Sequence, residues 1–203
     1  MVVKRYINGQ TVRHIERLNK IWASGTAQAD AYFLDGGDTI TNSPAAATIT
    51  GAHWLEGETV SVLVDGASHP DVTIEYGAAT LDVDATTVTF GYSYNSDGQL
   101  LPLEGGTPDG SAEGKKKKVR RLGFRLLDTL GFKYGDAFTN LSEIIESQWG
   151  DDYGSPPPLF SGVHRVSFEG DHDIDPDVCW RCDGPFPGTL SSIMPQFDVA
   201  DDT

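Results

Sequence analysis

Residues 59–92 carry a polar–apolar alternation that a helix cannot use. Thr59-Val60-Ser61-Val62-Leu63-Val64 alternates and then meets Asp65-Gly66. Val72-Thr73-Ile74, Thr80-Leu81-Asp82-Val83 and Thr87-Val88-Thr89-Phe90-Gly91-Tyr92 repeat the pattern between Gly and Asp punctuation. Successive side chains of a strand point to opposite faces, so period-two apolar residues mark strands with one buried face. Asp-Gly supplies the positive backbone angles of a tight turn. Residues 47–94 therefore read as a small β-barrel-like domain of four short strands.

The flanking segments read the same way. Asn8-Gly9 lies between Lys4-Arg5-Tyr6-Ile7 and Thr11-Val12-Arg13-His14-Ile15 and predicts a hairpin over residues 3–18. An isolated hairpin is marginal in water. Residues 1–46 are thus expected to pair this hairpin with the C-terminal sheet or with a neighbouring chain. A connecting strand is expected at residues 31–34, ended by Asp35-Gly36-Gly37, and Ser43-Pro44-Ala45 leads into the central domain. Residues 95–203 form the third expected domain, also β. It opens on a Gly- and Asp-rich loop with an edge strand at Gln99–Leu103, where Pro102 is tolerated. Residues 119–130 fit helix through Val119, Leu122, Leu126, Leu127 and Leu130. They also fit a strand with Leu122, Phe124 and Leu126 on one face and Arg121 and Arg125 on the other. Gly123 weakens the helix by about 1 kcal/mol. A short helix is expected at residues 140–149, a stiff proline loop after it, strands at 163–168, 178–183 and 189–194, and a frayed acidic tail. The fold class is all-β: an antiparallel barrel or sandwich with a small inserted β domain and little helix. The 23 glycines and 11 prolines suit such a turn-rich chain.

The formal charge is −15, from 15 basic and 30 acidic residues, and six of the basic ones fall between Lys115 and Arg121. Nine basic residues face all 30 acidic ones elsewhere. A free nucleic-acid-binding domain shows the opposite balance. Such acidity suits solubility, or a channel that repels phosphate. No apolar run approaches the roughly 20 residues of a membrane span, so no insertion is expected, and the first ten residues lack the apolar core of a signal peptide.

Several patterns bear on chemistry. Cys179-Trp180-Arg181-Cys182 matches C-x-x-C but sits in a strand-like run, where the two side chains face apart. Two unbridged structural thiols are expected, in keeping with a reducing compartment. Asp171, Asp173, Asp175 and Asp177 resemble half a calcium loop, yet Pro176 replaces the required glycine and Cys182 the closing glutamate. They read as an acidic hairpin turn. His14, His53, His69, His164 and His172 are scattered. Neither a nucleophile elbow nor a phosphate loop occurs. No catalytic residue, metal or cofactor is expected. The strong charge feature is Lys115, Lys116, Lys117, Lys118, Arg120 and Arg121. It reads as a solvated loop-to-strand junction, a docking patch for an acidic neighbour, or a non-specific phosphate contact with DNA.

One resemblance gathers these pieces. HWLEGETVSVLVDGASHP, GAATLD, VTFGYSY and KKKKVRRLGFRLLDTLGFKYG, in fixed order with PLE, PLFSG and a late MP, resemble the C-terminal part of phage tail nozzle proteins, also called packaged-DNA stabilisation proteins or tail tubular protein B. The resemblance covers nearly the whole chain. The central piece is also similar, as a fold unit only, to the small β domain that precedes the catalytic cysteine region of ubiquitin-activating enzymes. The nozzle resemblance implies a strand at 119–130 and a non-enzymatic virion protein, assembled in the host cytoplasm into a hexameric ring at the distal end of a short tail. It implies an adaptor ring and fibres or a needle as partners, and retention of packaged DNA until ejection. The alternative is a receptor- or carbohydrate-binding β module of a tail fibre.

Overall fold

Turn chemistry sets the first strand boundaries. In the computed structural model, which describes residues 1–18, 22–23, 25–107, 110–144 and 156–200, Asn8 and Gly9 take φ of 45° and 74°. They join β1 (Val2–Ile7) to β2 (Gln10–Ile15). Asp65 and Gly66, at 47° and 92°, likewise join β4 (Thr59–Val64) to β5 (Ala67–Thr73). The Asp65 carboxylate accepts from the Thr86 and Thr87 backbone N–H groups at 3.1 and 2.7 Å, which ties this turn to the next strand. The fold is all-β, built from several antiparallel sheets, and no barrel closes. Two single 3-10 turns, Gln28–Asp30 and His53–Leu55, are the only helical elements among the described residues.

The chain divides into two compact units. The first contains residues 1–94. Its main sheet has the order β3-β6-β4-β5, with β3 at Asp35–Ile49 and β6 at Ala79–Tyr92. The two short strands expected at 80–83 and 87–92 are one long strand. The strand expected at 31–34 is absent: Ala31 and Leu34 are buried in irregular chain, and Asp35-Gly36-Gly37 opens β3 instead of ending a strand. The reason is steric. Gly36 takes φ of 63° in a bulge, and a Cβ on Gly37 would lie 1.7 Å from the Phe90 carbonyl oxygen. Ser43-Pro44-Ala45 is not a connector either. It is a bulge within β3, where proline's missing donor costs no ladder bond, and the Asn42 amide donates to the Ala46 and Ala85 carbonyls at 3.2 Å across it. Val60, Val62, Val88 and Phe90 fill the core together with Ile49, Leu55 and Ile74.

Among the described residues the β1–β2 hairpin forms a sheet of its own. Side chains hold it. Arg5 donates from Nε to Glu16 at 2.5 Å, from Nη2 to Glu16 at 2.8 Å, and in a two-pronged contact to Asp35 at 2.8 and 2.9 Å. The Asn8 N–H donates to Glu58 at 2.8 Å.

The second unit holds β7 (Ser96–Gln99), the short pair β8 (Gly106–Thr107) and β9 (Gly110–Ser111), β10 (Lys117–Thr129), β11 (Phe132–Ala137), β12 (Asn140–Glu143), β13 (Phe160–Ser167), β14 (Cys179–Cys182) and β15 (Thr189–Val199). Its larger sheets are β13-β10-β15 and β12-β11-β14-β7. Leu122, Phe124 and Leu126 of β10 face Phe132 and Tyr134 of β11 and Trp180 of β14, so the two sheets share one core. Phe124 lies 5.0 Å from Phe132, and Trp180 stacks on Phe132 at 6.1 Å. Residues 117–129 are therefore strand, not helix.

Three further expectations change. The edge strand is Ser96–Gln99, ahead of the expected Gln99–Leu103. Residues 140–143 are strand where a helix was expected, and residues 145–149 lie outside the described residues. The absence of a side chain at Gly135 lets β12 pair closely, since a Cβ there would lie 2.0 Å from the Asn140 carbonyl oxygen. The tail is pinned as far as it is described: Val199 pairs with Lys117, and the Ala200 N–H donates to the Lys116 carbonyl at 2.8 Å.

Candidate functional site

The basic run does not form one patch. Lys117 is 1 % exposed and turns inward, because a strand alternates its faces and position 117 shares the core side with Val119. Its ammonium donates to the Leu103 carbonyl at 2.9 Å and lies 3.7 Å from Asp175. Arg120 is paired with Asp198, which is also registered opposite Lys118. Lys115 is half-buried, and Lys116 is exposed on the approach to the strand. Arg121 alone among the six continues onto the open face of the sheet.

On that face Arg121 has company. A bulge after Val119 shifts the alternation, so Arg121, Gly123, Arg125 and Leu127 face outward. On one side β13 places Arg165 opposite Gly123, flanked by Val163 opposite Arg125 and Ser167 opposite Arg121. On the other side β15 places Met194 opposite Gly123, with Ser192 opposite Arg125 and Gln196 opposite Arg121. Arg165 is thus the diagonal neighbour of both Arg121 and Arg125, at about 7–8 Å between backbones. All three arginines are exposed, and none has an ion-pair partner among the described residues. Two unit charges about 8 Å apart in water repel by about 0.5 kcal/mol. The fold tolerates that cost, yet the field of three guanidiniums around Gly123, which Met194 covers, favours anions. Arg165 escapes sequence reasoning: VHRVSF places it on an outward face, but only the register with β10 brings it beside Arg121 and Arg125.

The acidic segment is not a hairpin turn, since β13 and β14 belong to different sheets. It crosses between them. Lys117 anchors it at the backbone: its N–H donates to the Asp173 carbonyl at 2.6 Å, and the Asp173 N–H donates back at 3.0 Å. Glu169, Asp171, Asp173, Asp175 and Asp177 are exposed, and Ile174 is 45 % exposed among them. Among the described residues no three acidic, His or Cys side chains converge as a metal site.

The remaining candidates are structural. Cys179 and Cys182 are unbridged. Burial pushes the Cys182 thiol up to about 11, with Asp183 adding to it, and burial followed by Asp177, Asp136 and Asp97 raises Cys179. Both are poor nucleophiles at neutral pH. His69 is buried, accepts the Asp82 N–H at Nε2 (2.9 Å) and lies 2.7 Å from the Pro70 carbonyl at Nδ1. These contacts require the proton on Nδ1 and leave no nitrogen free for a substrate. The first unit carries a concave groove of about 790 Å³ lined by Tyr32, Trp54, Asp38, His14 and Arg17. No helix among the described residues is long and apolar enough to cross a membrane.

Neither a protein-family model nor a curated protein matches the chain.

Proposed function

We propose that the chain is a structural subunit of a phage tail, of the nozzle type, whose copies form a ring that closes or lines the DNA exit channel and stabilises packaged DNA. The observation that carries this reading is the open arginine face on a chain of net charge −15. An all-β unit with a shared aromatic core and one uncovered charged sheet face has the features of an assembly part. The resemblance of its motif order to tail nozzle proteins supplies the context. The subunit acts by position, without catalysis or cofactor. It contacts its own copies, an adaptor ring and fibres or a needle, and passing DNA only non-specifically. It resides in the virion tail after assembly in the host cytoplasm. Electron microscopy of the purified chain, alone and added to tails that lack it, tests the reading. Rings or tail-bound caps are expected. Particles that stay single and leave such tails undecorated contradict it.

The groove of the first unit favours a second reading, a carbohydrate-binding module of a tail fibre. Tyr32 and Trp54 offer apolar ring surface beside Asp38 and His14, a combination suited to sugar faces and hydroxyls. Quenching of Trp54 fluorescence by a cell-surface glycan, lost in Trp54→Phe, supports that reading. An unchanged spectrum across a glycan panel removes it.

A further inference from the structure

We propose that the outward face of the β13-β10-β15 sheet seats the acidic 169–177 segment of a second copy of this chain. This rests on the ring reading and names the partner of its basic face.

The two surfaces match in charge and in apolar content. The receiving face offers Arg121, Arg125 and Arg165 without an ion-pair partner among the described residues, with exposed Val163 and Met194 on the flanking strands. The segment offers Glu169, Asp171 and Asp177 with Ile174 exposed between them. Guanidinium forks fit carboxylates in two-pronged contacts. Ile174 gives Val163 and Met194 an apolar partner, which a phosphate backbone does not. Two copies, each of net charge −15, repel at long range as a polyanion would, so the apolar match and the local carboxylates are what favour the segment.

Both surfaces are preformed. The arginines stand on a paired strand, and the buried Lys117 locks the segment through two backbone bonds and its contact near Asp175. Preformed surfaces lose less freedom on binding. Within one chain no ion pair joins the arginines to the segment among the described residues. The contact is heterologous, one patch against a different one, which closes into a ring where the rotation between copies allows it.

The test is charge reversal in two variants, followed by sedimentation velocity. One is Arg121→Glu/Arg125→Glu/Arg165→Glu, the other Glu169→Lys/Asp171→Lys. Each alone is expected to associate at least tenfold more weakly than the wild-type chain. An equimolar mixture is expected to regain association, because each reversed surface then meets its reversed counterpart. Circular dichroism verifies the folds, and Arg121→Gln/Arg125→Gln/Arg165→Gln replaces the first variant in the same weakening test if it unfolds. Folded variants that associate like the wild type overturn this contact and leave the ring reading standing. So does loss of duplex DNA binding with unchanged association. A mixture no better than its separate components overturns it too. A wild-type chain that never associates and never joins tails overturns both.

Discussion

A lysine with 1 % of its surface exposed needs its ammonium answered, and Lys117 is answered by the Leu103 carbonyl and Asp175. Lys117→Met leaves that carbonyl without a donor, at a cost of about 1–3 kcal/mol. It also removes the ammonium's contact with Asp175, while the two backbone bonds to Asp173 remain. Chemical denaturation should show the loss, while the Asp173 N–H, bonded to the backbone carbonyl of residue 117, should stay protected from exchange in the native state. Lys116→Met, one residue away but exposed, should change stability by no more than about 0.5 kcal/mol. The contrast between neighbours in one run of lysines was not visible in the run itself. Four identical side chains carry no alternation, so which one turns inward depends on where β10 begins. The thiols behave as the strand pattern implied. Denatured, unreduced protein should titrate two thiols, and a count of zero contradicts the free pair. In the native state, alkylation of Cys182 should rise about tenfold per pH unit up to about 11, the value to which burial lifts its thiol.

At the scale of elements, the hairpin depends on Arg5, which binds Glu16 and Asp35 together. Hydrogen bonds from the guanidinium hold both carboxyls below their usual range. A carboxyl lowered on folding adds stability above its unfolded value, near pH 4, and loses it as pH falls through the lower folded value. The first unit should therefore weaken below about pH 4, and Arg5→Ala should flatten that part of the stability–pH curve. At neutral pH the same change should cost about 1–2 kcal/mol, since Asp35 is more than half exposed and its share is screened. An unchanged acid limb contradicts this account of the hairpin. Gly37→Ala should cost more, about 2–3 kcal/mol, because the new methyl meets backbone and not a movable side chain. Strands bounded by Asn8-Gly9 and Asp65-Gly66 were legible because the turn residues and the alternation agree. The segment at 31–45 was not. Its Asp-Gly-Gly and Pro44 look like breaks, yet the long β3 absorbs them as bulges against β6. Residues 140–143 misled for a related reason: Leu141 and Ile144 suit a helix by spacing, and only the pairing of Leu141 with Gly135 makes 140–143 strand.

At the scale of the molecule, the all-β class followed from turn density and period-two patterning, but the site did not follow from charge density. The densest basic run is dispersed by burial and by Asp198, while the open arginine face draws on β10 and β13, about 40 residues apart in sequence. Pairing register, which no local pattern encodes, brings Arg165 to Arg121 and Arg125. On the proposed reading, this face makes the chain an assembly subunit. Exposed charge pairs weaken with ionic strength. Native mass measurement of the purified wild-type chain over a range of concentrations, at low salt and at about 1 M salt, tests that claim most directly. A concentration-dependent oligomer of defined subunit number is expected at low salt, falling toward monomer at high salt. A monomer at every concentration and at both salts contradicts it.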